Sequence, residues 1–206
     1  MRWGGTGRSS RGGAVDDVAA AADVLRAGGV VLLPTDTLYG VAVATDVPGA
    51  TERLFSLKGR DRDVPIAVLV ADAAQAWTLV ASPVPEMAEG LAARFWPGAL
   101  TLVLRREPSW TVDLGGDATT VGLRCPDHEL VRALCRSVGP LATTSANRHG
   151  HPTPPTAQDA AAELGAVDLV VDGGRLQGMA STVVDCTVEP VRVLREGAIP
   201  RDALVA

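Results

Sequence analysis

The stretch LATTSANRHGHPTPP, residues 141–155, decides the fold and contains the first candidate site. It begins as a strand at Leu141–Thr143 and then breaks into small polar side chains at Thr144, Ser145 and Asn147. A glycine and three prolines follow, and proline cannot continue the pairing of a sheet. Open α/β sheets bind their ligands beyond the carboxyl ends of their strands. We therefore predict a ligand site at the edge of the sheet where this strand ends.

A second strand ends in a similar way near the start of the chain. Val30–Leu33 is a short, continuously apolar run, which is typical of a strand covered on both faces. The segment Pro34–Gly40, PTDTLYG, follows it and carries two threonines and the only tyrosine of the chain. We expect these side chains to serve the same edge.

The remaining sequence alternates short apolar runs with segments of helical periodicity. A helix is predicted over residues 14–27, and Asp127 and Thr156 are predicted to cap two further helices. About seven strands and five or six helices occur in mixed order. This order predicts an α/β (α+β) fold, in which a single-domain, twisted mixed sheet with some antiparallel pairs is flanked by helices.

Length and composition limit the class of protein. The 206 residues suit one domain, predicted at residues 14–206, after a Gly-, Ser- and Arg-rich tail at residues 1–13 that we expect to be mobile. Aromatic residues make up only 3%, so the core must consist of Val, Leu and Ala. The net charge of −5 disfavours a protein whose main task is to bind nucleic acid, and any tRNA contact is expected to be weak and local.

The sequence carries no signal for a membrane span, a disulfide framework or a metal centre. No apolar run is long enough to span a membrane and nothing resembles a signal peptide, so we expect a cytoplasmic protein. Cys125, Cys135 and Cys186 are odd in number and lack a C-x-x-C spacing, which disfavours disulfides and structural zinc. His149 and His151 lack a third ligand, and no metal site is predicted.

Basic residues at two kinds of position could bind an anion. Lys58, Arg60 and Arg62 cluster at the end of a predicted helix, where cations also occur because they suit the helix dipole. As ligands they would clamp phosphate groups. Arg124 and Arg195 each end an apolar strand. Each could form a structural ion pair or bind an anionic group of a ligand. The sequence has no P-loop, so any use of ATP would follow other chemistry.

Taken together and in order, these segments resemble a known family. The motifs are PTDTLYG, KGR, FWPGALTLVL, GLRCPDH, TTSANRHGHPTP, STVVD and VLREG, and they extend from about residue 14 to about residue 200. The set resembles the YrdC-like family, the threonylcarbamoyl-AMP synthases of tRNA modification, in its short single-domain form. The resemblance implies a twisted α/β fold with a central, positively lined cavity.

The resemblance also implies a reaction and its participants. L-Threonine, bicarbonate or CO2, and ATP would give threonylcarbamoyl-adenylate and pyrophosphate, with Mg²⁺ expected to accompany the ATP. Downstream partner proteins would transfer the threonylcarbamoyl group to an adenosine of tRNA. No side chain is an evident covalent nucleophile, so catalysis would depend on positioning and electrostatics.

By resemblance, the site residues fall into two groups. The residues for L-threonine would be Thr37, Arg124, Thr144 and Ser181. The residues around the nucleotide would be Lys58, Arg60, Thr120, Ser145, Ala146, Asn147, Thr153 and Arg195. Lys58 and Arg60 would also act in catalysis, by stabilising the charge that develops as a carbamate oxygen attacks the α-phosphorus.

Three positions depart from the family pattern. Val64 stands where an asparagine is usual, Leu69 where a histidine is common, and His149 where the pattern has a serine. The first two changes bear on a nucleotide contact and a threonine contact, respectively. A separate feature is the glycine-containing segment Gly173–Met179, which is a candidate lid over hydrolytically fragile intermediates.

The sequence is also compatible with other classes of function. The chain could be an RNA-binding module or translation factor, which its acidic balance disfavours. It could be a carbamoyl transferase that acts on another acceptor. It could also perform sugar-phosphate chemistry, which would need acidic metal ligands that we do not find in the sequence.

Overall fold

The computed structural model describes residues 8–10, 14–59, 61–148 and 150–204, with side chains from residue 16 onward. Arg60, His149 and most of the predicted tail at residues 1–13 lie outside the described residues. The helices of the described part are α1 (Ala14–Arg26), α2 (Ala50–Lys58), α3 (Ala73–Trp77), α4 (Glu86–Phe95), α5 (Glu129–Val138), α6 (Ala157–Leu164) and α7 (Arg201–Leu204). Its strands are β1 (Arg8–Ser10), β2 (Val31–Leu33), β3 (Gly40–Ala44), β4 (Ala67–Leu69), β5 (Leu100–Arg105), β6 (Thr120–Arg124), β7 (Leu141–Ser145), β8 (Leu169–Val171), β9 (Thr182–Asp185) and β10 (Arg192–Arg195).

The described strands form one mixed sheet in the order β1-β8-β2-β3-β7-β4-β6-β5-β9-β10. The pairs β1/β8, β2/β8, β4/β6 and β5/β9 are parallel. The pairs β2/β3, β3/β7, β4/β7, β5/β6 and β9/β10 are antiparallel. The predicted fold class, a mixed α/β sheet flanked by helices, is confirmed.

Helices cover the two faces of the sheet differently. One face packs against α2, α4 and α6 in the larger hydrophobic core, which runs along most of the sheet. On the opposite face, a smaller core lies under α1 and α5 and includes Leu69 of β4 and Leu141 of β7. Because side chains alternate between faces along a strand, the continuation of this second face past Leu69 can be followed by register into β6, β5 and β9.

The antiparallel pairing of β3 with β7 brings the two polar segments of the sequence together. Gly40, the first residue of β3, lies opposite Ser145, the last residue of β7. The segment Pro34–Tyr39 that leads into β3 therefore ends beside the carboxyl end of β7, where the Ala146 amide donates to the Tyr39 carbonyl oxygen at 2.8 Å. This arrangement unites the PTDT and TTSAN motifs, which are about 100 residues apart in sequence.

Three features of the structure differ from the sequence-based expectations. Arg8–Ser10, within the tail predicted to be mobile, form β1 and pair with β8. The sequence pattern missed β3, although GVAVA is a continuously apolar run that is buried at all five positions. The predicted cap of α5 was also wrong, since the N-cap residue is His128 and not Asp127. The cap of α6 is confirmed, because Thr156 Oγ1 accepts a hydrogen bond from the Asp159 amide.

Thr182, at the start of β9, fastens the segment that follows β10. Its side chain is fully buried, and its Oγ1 donates to the Ile199 carbonyl oxygen over 2.6 Å. The same oxygen accepts hydrogen bonds from the amides of Gly197 and Ile199 at 2.9 and 3.0 Å. One hydroxyl therefore satisfies three backbone groups next to Arg195.

We expect Thr182→Val to lower the free energy of unfolding by about 1–3 kcal/mol, because a shape-matched apolar side chain leaves these backbone groups unsatisfied. Urea unfolding followed by circular dichroism measures the change. Thr78→Val is the matched control, since Thr78 is exposed and bonds only within its own turn among the described contacts. Equal, small losses in both variants would contradict the role given to Thr182.

Candidate active site

A cavity of about 550 Å³ lies over the second face of the sheet. Its floor comes from residues that alternate along five strands and so share this face. They are Ala67 and Leu69 of β4, Thr101 and Val103 of β5, Thr120, Gly122 and Arg124 of β6, Thr143 and Ser145 of β7, and Val183 of β9. Most of these side chains are small, which leaves the volume above them open.

Loops form the rim of the cavity. The segment before β3 contributes Thr35 and Thr37, and the segment after β7 contributes Asn147 and Thr153. The predicted position at the carboxyl edge of the sheet therefore needs a correction. The cavity extends across a face of the sheet, and the polar strand end of β7 lies at its margin.

The cavity collects most of the predicted site residues. Those that line it are Thr37, Thr120, Arg124, Thr144, Ser145, Asn147, Thr153, Ser181 and Arg195. Lys58 and Ala146 are buried and are not among the lining residues. Arg60 lies outside the described residues. Val64 and Leu69, two of the departures from the family pattern, add apolar lining.

Arg124 is held by three protein groups at the wall of the cavity. Its Nε donates to the Gly98 carbonyl oxygen at 3.0 Å, and its Nη1 donates to Thr37 Oγ1 at 2.8 Å. Its Nη2 forms a 2.6 Å ion pair with Asp36 Oδ1. A guanidinium has five N–H donors, so one N–H on each Nη has no partner among the described residues. The structural ion pair left open by the sequence is present, and donors for a ligand anion remain as well.

The hydroxyls of Thr35 and Thr37 contact each other beside Arg124. Thr35 Oγ1 donates to the Leu38 carbonyl oxygen at 2.7 Å and lies 2.9 Å from Thr37 Oγ1, and either hydroxyl can be the donor in this second contact. Thr37 Oγ1 also accepts from Arg124. The Thr37 hydroxyl is therefore held between Thr35 and the guanidinium group.

Arg195 and Ser181 form a second polar group on the opposite wall. Arg195 Nη2 donates to the Ser181 carbonyl oxygen at 2.8 Å and to Ser181 Oγ at 3.2 Å, and Ser181 Oγ lies 2.9 Å from Thr101 Oγ1. The pKa of Arg195 is lowered from its ordinary value, first by desolvation and second by the like charge of Arg124. The cavity thus holds two guanidinium groups near enough to repel each other.

Lys58 lies behind the end of β7. Its Nζ donates to the Ser145 carbonyl oxygen at 2.6 Å and also to the Asn147 carbonyl oxygen. The side-chain nitrogen Nδ2 of Asn147 donates to the carbonyl oxygens of Arg148 and His151. Thr153 Oγ1 donates to Asn147 Oδ1. These bonds fix the shape of the TTSAN segment where it borders the cavity.

Arg62, the third cation of the predicted cluster, faces away from this region. Its Nη1 pairs with Asp113 and its Nη2 with Glu52, and all three side chains are largely exposed. Its guanidinium also stacks over the Phe55 ring at 5.1 Å. In the structure Arg62 therefore has the ion-pairing role of a surface cation.

The candidate lid, Gly173–Met179, is anchored beside the cavity. The Gly173 amide donates to Tyr39 Oη at 2.9 Å, and Tyr39 Oη donates to the Gly174 carbonyl oxygen at 2.6 Å. A Cβ on Gly178 would come within 2.1 Å of the Thr37 carbonyl oxygen, so only glycine permits this close approach. The lid function stays a prediction.

Sequence reasoning missed three polar residues of the site. Thr101 and Thr143 line the cavity, and Asp36 pairs with Arg124. Thr35, one of the two threonines expected at this edge, also lines the cavity. Thr143 could have been found from the period of two along β7, because it shares a face with Ser145. The partners of Thr101 and Asp36 are 80 and 88 residues away, and no local sequence pattern contains that information.

Three further observations concern possible metal ligands, thiols and membrane-spanning helices. The described residues contain no group of three or more His, Cys, Asp or Glu that could hold a metal ion. Cys125, Cys135 and Cys186 are free thiols in the interior, and burial raises the pKa of Cys125 and of Cys186 to about 11. None of the helices in the described ranges is both long and apolar enough to cross a membrane.

Several curated proteins are similar to most of this chain. A Mycobacterium tuberculosis (strain H37Rv) protein, provisionally named threonylcarbamoyl-AMP synthase, is 41% identical over 189 residues, which is 91% of this chain and 87% of that protein. The threonylcarbamoyl-AMP synthase of Bacillus subtilis (strain 168) is 39% identical over 193 residues, 92% of this chain and 56% of that protein. The chain thus spans little more than half of the second relative.

A solved structure and a family model agree with these similarities. The crystal structure of Pyrococcus abyssi Sua5 complexed with L-threonine superimposes with a TM-score of 0.83 at 35% identity, covering 94% of this chain and 57% of that one. The Sua5/YciO/YrdC family model, described as "Telomere recombination", matches residues 23–197. The family suggested by the ordered motifs is confirmed, and the chain belongs to the Sua5/YciO/YrdC family.

Proposed function

We propose that this chain is a threonylcarbamoyl-AMP synthase, which converts L-threonine, bicarbonate or CO2, and ATP into threonylcarbamoyl-adenylate and pyrophosphate. The observation that carries the proposal is the cavity that joins the guanidinium groups of Arg124 and Arg195 to a ring of hydroxyls. The relatives that carry this enzyme name support it, as does the threonine complex of P. abyssi Sua5.

In this proposal the Arg124 side of the cavity binds L-threonine. The two remaining N–H groups of Arg124 would hold the carboxylate in a charge-assisted, two-pronged contact. The Thr37 hydroxyl would form a hydrogen bond with the amine or hydroxyl of the substrate. Thr144 and Ser181 would complete the contacts, and strand alternation adds Thr143 to this group.

The nucleotide would occupy the part of the cavity between the end of β7 and Arg195. Thr120, Ser145, Asn147, Thr153 and Arg195 border this region, and the Ala146 backbone would assist. Lys58 Nζ, bonded to the Ser145 carbonyl oxygen, would lie close to a phosphate bound beside Ser145. Arg60 keeps its proposed phosphate role on the grounds of its motif alone.

The chemistry would depend on charge and position. The threonine amine would attack CO2 to give a carbamate, and a carbamate oxygen would attack the α-phosphorus as pyrophosphate leaves. Cations would stabilise the charge that develops on the phosphate oxygens. We propose that Mg²⁺ enters with ATP, held by phosphate oxygens and water, because Mg²⁺ is commonly bound through substrate phosphates.

The product would serve tRNA modification. We propose that partner proteins transfer the threonylcarbamoyl group to an adenosine of tRNA, and that this chain itself touches tRNA weakly at most. The net charge of −5 supports that division of roles. ATP and tRNA are cytoplasmic, so we propose the cytoplasm as the place of reaction.

The proposed function predicts a reaction that needs all three substrates. Purified protein with Mg²⁺-ATP, L-threonine and ¹⁴C-bicarbonate should form labelled threonylcarbamoyl-adenylate and one pyrophosphate per adenylate, as followed by thin-layer chromatography and a coupled pyrophosphate assay. Omission of any substrate should abolish both products. A folded protein that forms neither product would refute the proposal.

We expect Lys58→Met to lower kcat by roughly 10²–10³-fold, because it removes a cation that would stabilise the developing charge while it keeps the apolar stem. Initial rates at saturating substrates and thermal unfolding separate turnover from folding. Arg53→Met is the matched control on the same helix, since Arg53 pairs with Asp168 and is not among the residues that line the cavity. Unchanged turnover in Lys58→Met would remove Lys58 from the machinery.

Strand alternation predicts unequal effects at the two threonines of β7. Thr143→Val should raise the KM for L-threonine about tenfold, since the lost hydrogen bond is worth about 1.4 kcal/mol, and Thr144→Val should have a smaller effect. The two variants are controls for each other in steady-state kinetics with varied L-threonine. A larger effect at Thr144 would show that the end of β7 departs from regular alternation.

A further inference from the structure

The ion pair between Arg124 and Asp36 is unusual in its burial. The two side chains expose 8% and 16% of their surface, and the Nη2–Oδ1 distance is 2.6 Å. Among the ion pairs of the described residues, it is the only one in which both partners are this well covered. Asp36 pairs with Arg124 and is not among the residues that line the cavity.

Stability alone is a poor explanation for such a pair. Bringing two charges out of water costs about as much as their attraction returns, and apolar residues of similar volume often stabilise a fold as well or better. The pair is therefore better explained by its effect on the position of the Arg124 guanidinium group.

The geometry shows what Asp36 does to the guanidinium. Gly98 holds Nε, Thr37 holds Nη1 and Asp36 holds Nη2, so three contacts define the plane of the group. Asp36 is in turn fixed by its neighbour, because Thr35 Oγ1 accepts hydrogen bonds from the amides of Thr37 and Leu38 at 3.1 and 3.2 Å. These two bonds fix the backbone turn that carries Asp36.

The charges in the cavity also indicate that Asp36 acts on Arg124. Arg124 and Arg195 repel each other, which contributes to the lowered pKa of Arg195. The Asp36 carboxylate compensates one of these two positive charges. Arg124 can therefore keep its place in the wall before any anion arrives.

We infer that Asp36 is a positioning residue, which orients Arg124 so that its two remaining N–H groups meet the carboxylate of the amino-acid substrate. The inference rests on the proposed function. It implies that Asp36 governs recognition of the carboxylate and has little influence on the nucleotide. It further implies that Asp36 and Arg124 act as one unit.

The test compares a carboxylate substrate with its neutral amide in the Asp36→Asn variant. The KM for L-threonine should rise about 10- to 100-fold, while the KM for ATP stays within about twofold and kcat at saturating threonine within about threefold. The preference for L-threonine over L-threoninamide, measured as a ratio of kcat/KM values, should fall about tenfold. A loss of folding alone would not move this ratio.

Asp168→Asn is the matched control, because Asp168 pairs with Arg53 at 2.9 Å and does not line the cavity. It should leave both KM values and the preference ratio unchanged. In the Arg124→Lys background, Asp36→Asn should add less than twofold to the KM for threonine, since the planar fork that Asp36 orients is already lost. Asp36→Ser repeats the comparison if the asparagine variant fails to fold.

The outcomes separate the two proposals. A wild-type protein that makes the adenylate, together with a folded Asp36 variant of unchanged threonine KM and unchanged preference ratio, would overturn the inference and leave the proposed function intact. Equal rises in the KM for threonine and for ATP would also overturn it. A wild-type protein without threonine-dependent adenylate formation would defeat the proposed function, and the inference with it.

Discussion

The site depends on how side chains alternate across the central strands of the sheet. One face of these strands carries the branched and long apolar residues that fill the larger core, such as Val68, Leu102 and Leu123. The residues between them, on the other face, are small or hydroxylic, including Ala67, Thr101 and Gly122. Close packing of the first face keeps the sheet rigid, while the short side chains of the second leave the space in which polar groups can surround a ligand. A shift of one residue in any of these strands would exchange the two faces.

Much of this architecture can be read from the sequence. The helices, most strands and the polar motifs at strand ends follow from periodicity and turn chemistry, and the ordered motifs identify the family. The position of the cavity could not be read in the same way. It depends on the register between strands such as β4 and β6, which are about 50 residues apart, and local periodicity carries no information about register. For the same reason the polar strand end at Thr144–Asn147 was visible, whereas its relation to Thr101 was not.

Arg124 shows that one arginine can form a structural ion pair and still have donors for a ligand. The sequence raised an ion pair and a ligand contact as alternatives for this arginine. The geometry accommodates both, because a guanidinium presents five donors in one plane and protein groups use three of them. Lysine, as a point charge without a fixed plane, could not divide its contacts in this manner. Lys58 accordingly occupies a different position, behind the strand end, where it collects backbone carbonyl groups.

The floor of the cavity is shared among five strands that lie far apart in the chain, from β4 to β9. No fragment of the chain that lacks one of these strands contains the complete floor, so a ligand that fills the cavity can bind only the assembled sheet. Binding and folding are then linked by mass action, so a bound ligand raises the free energy of unfolding of the whole domain. At a ligand concentration of 100 times Kd, this linkage amounts to about 2.7 kcal/mol. Substrate supply would thereby influence how long the chain survives as well as how fast it works.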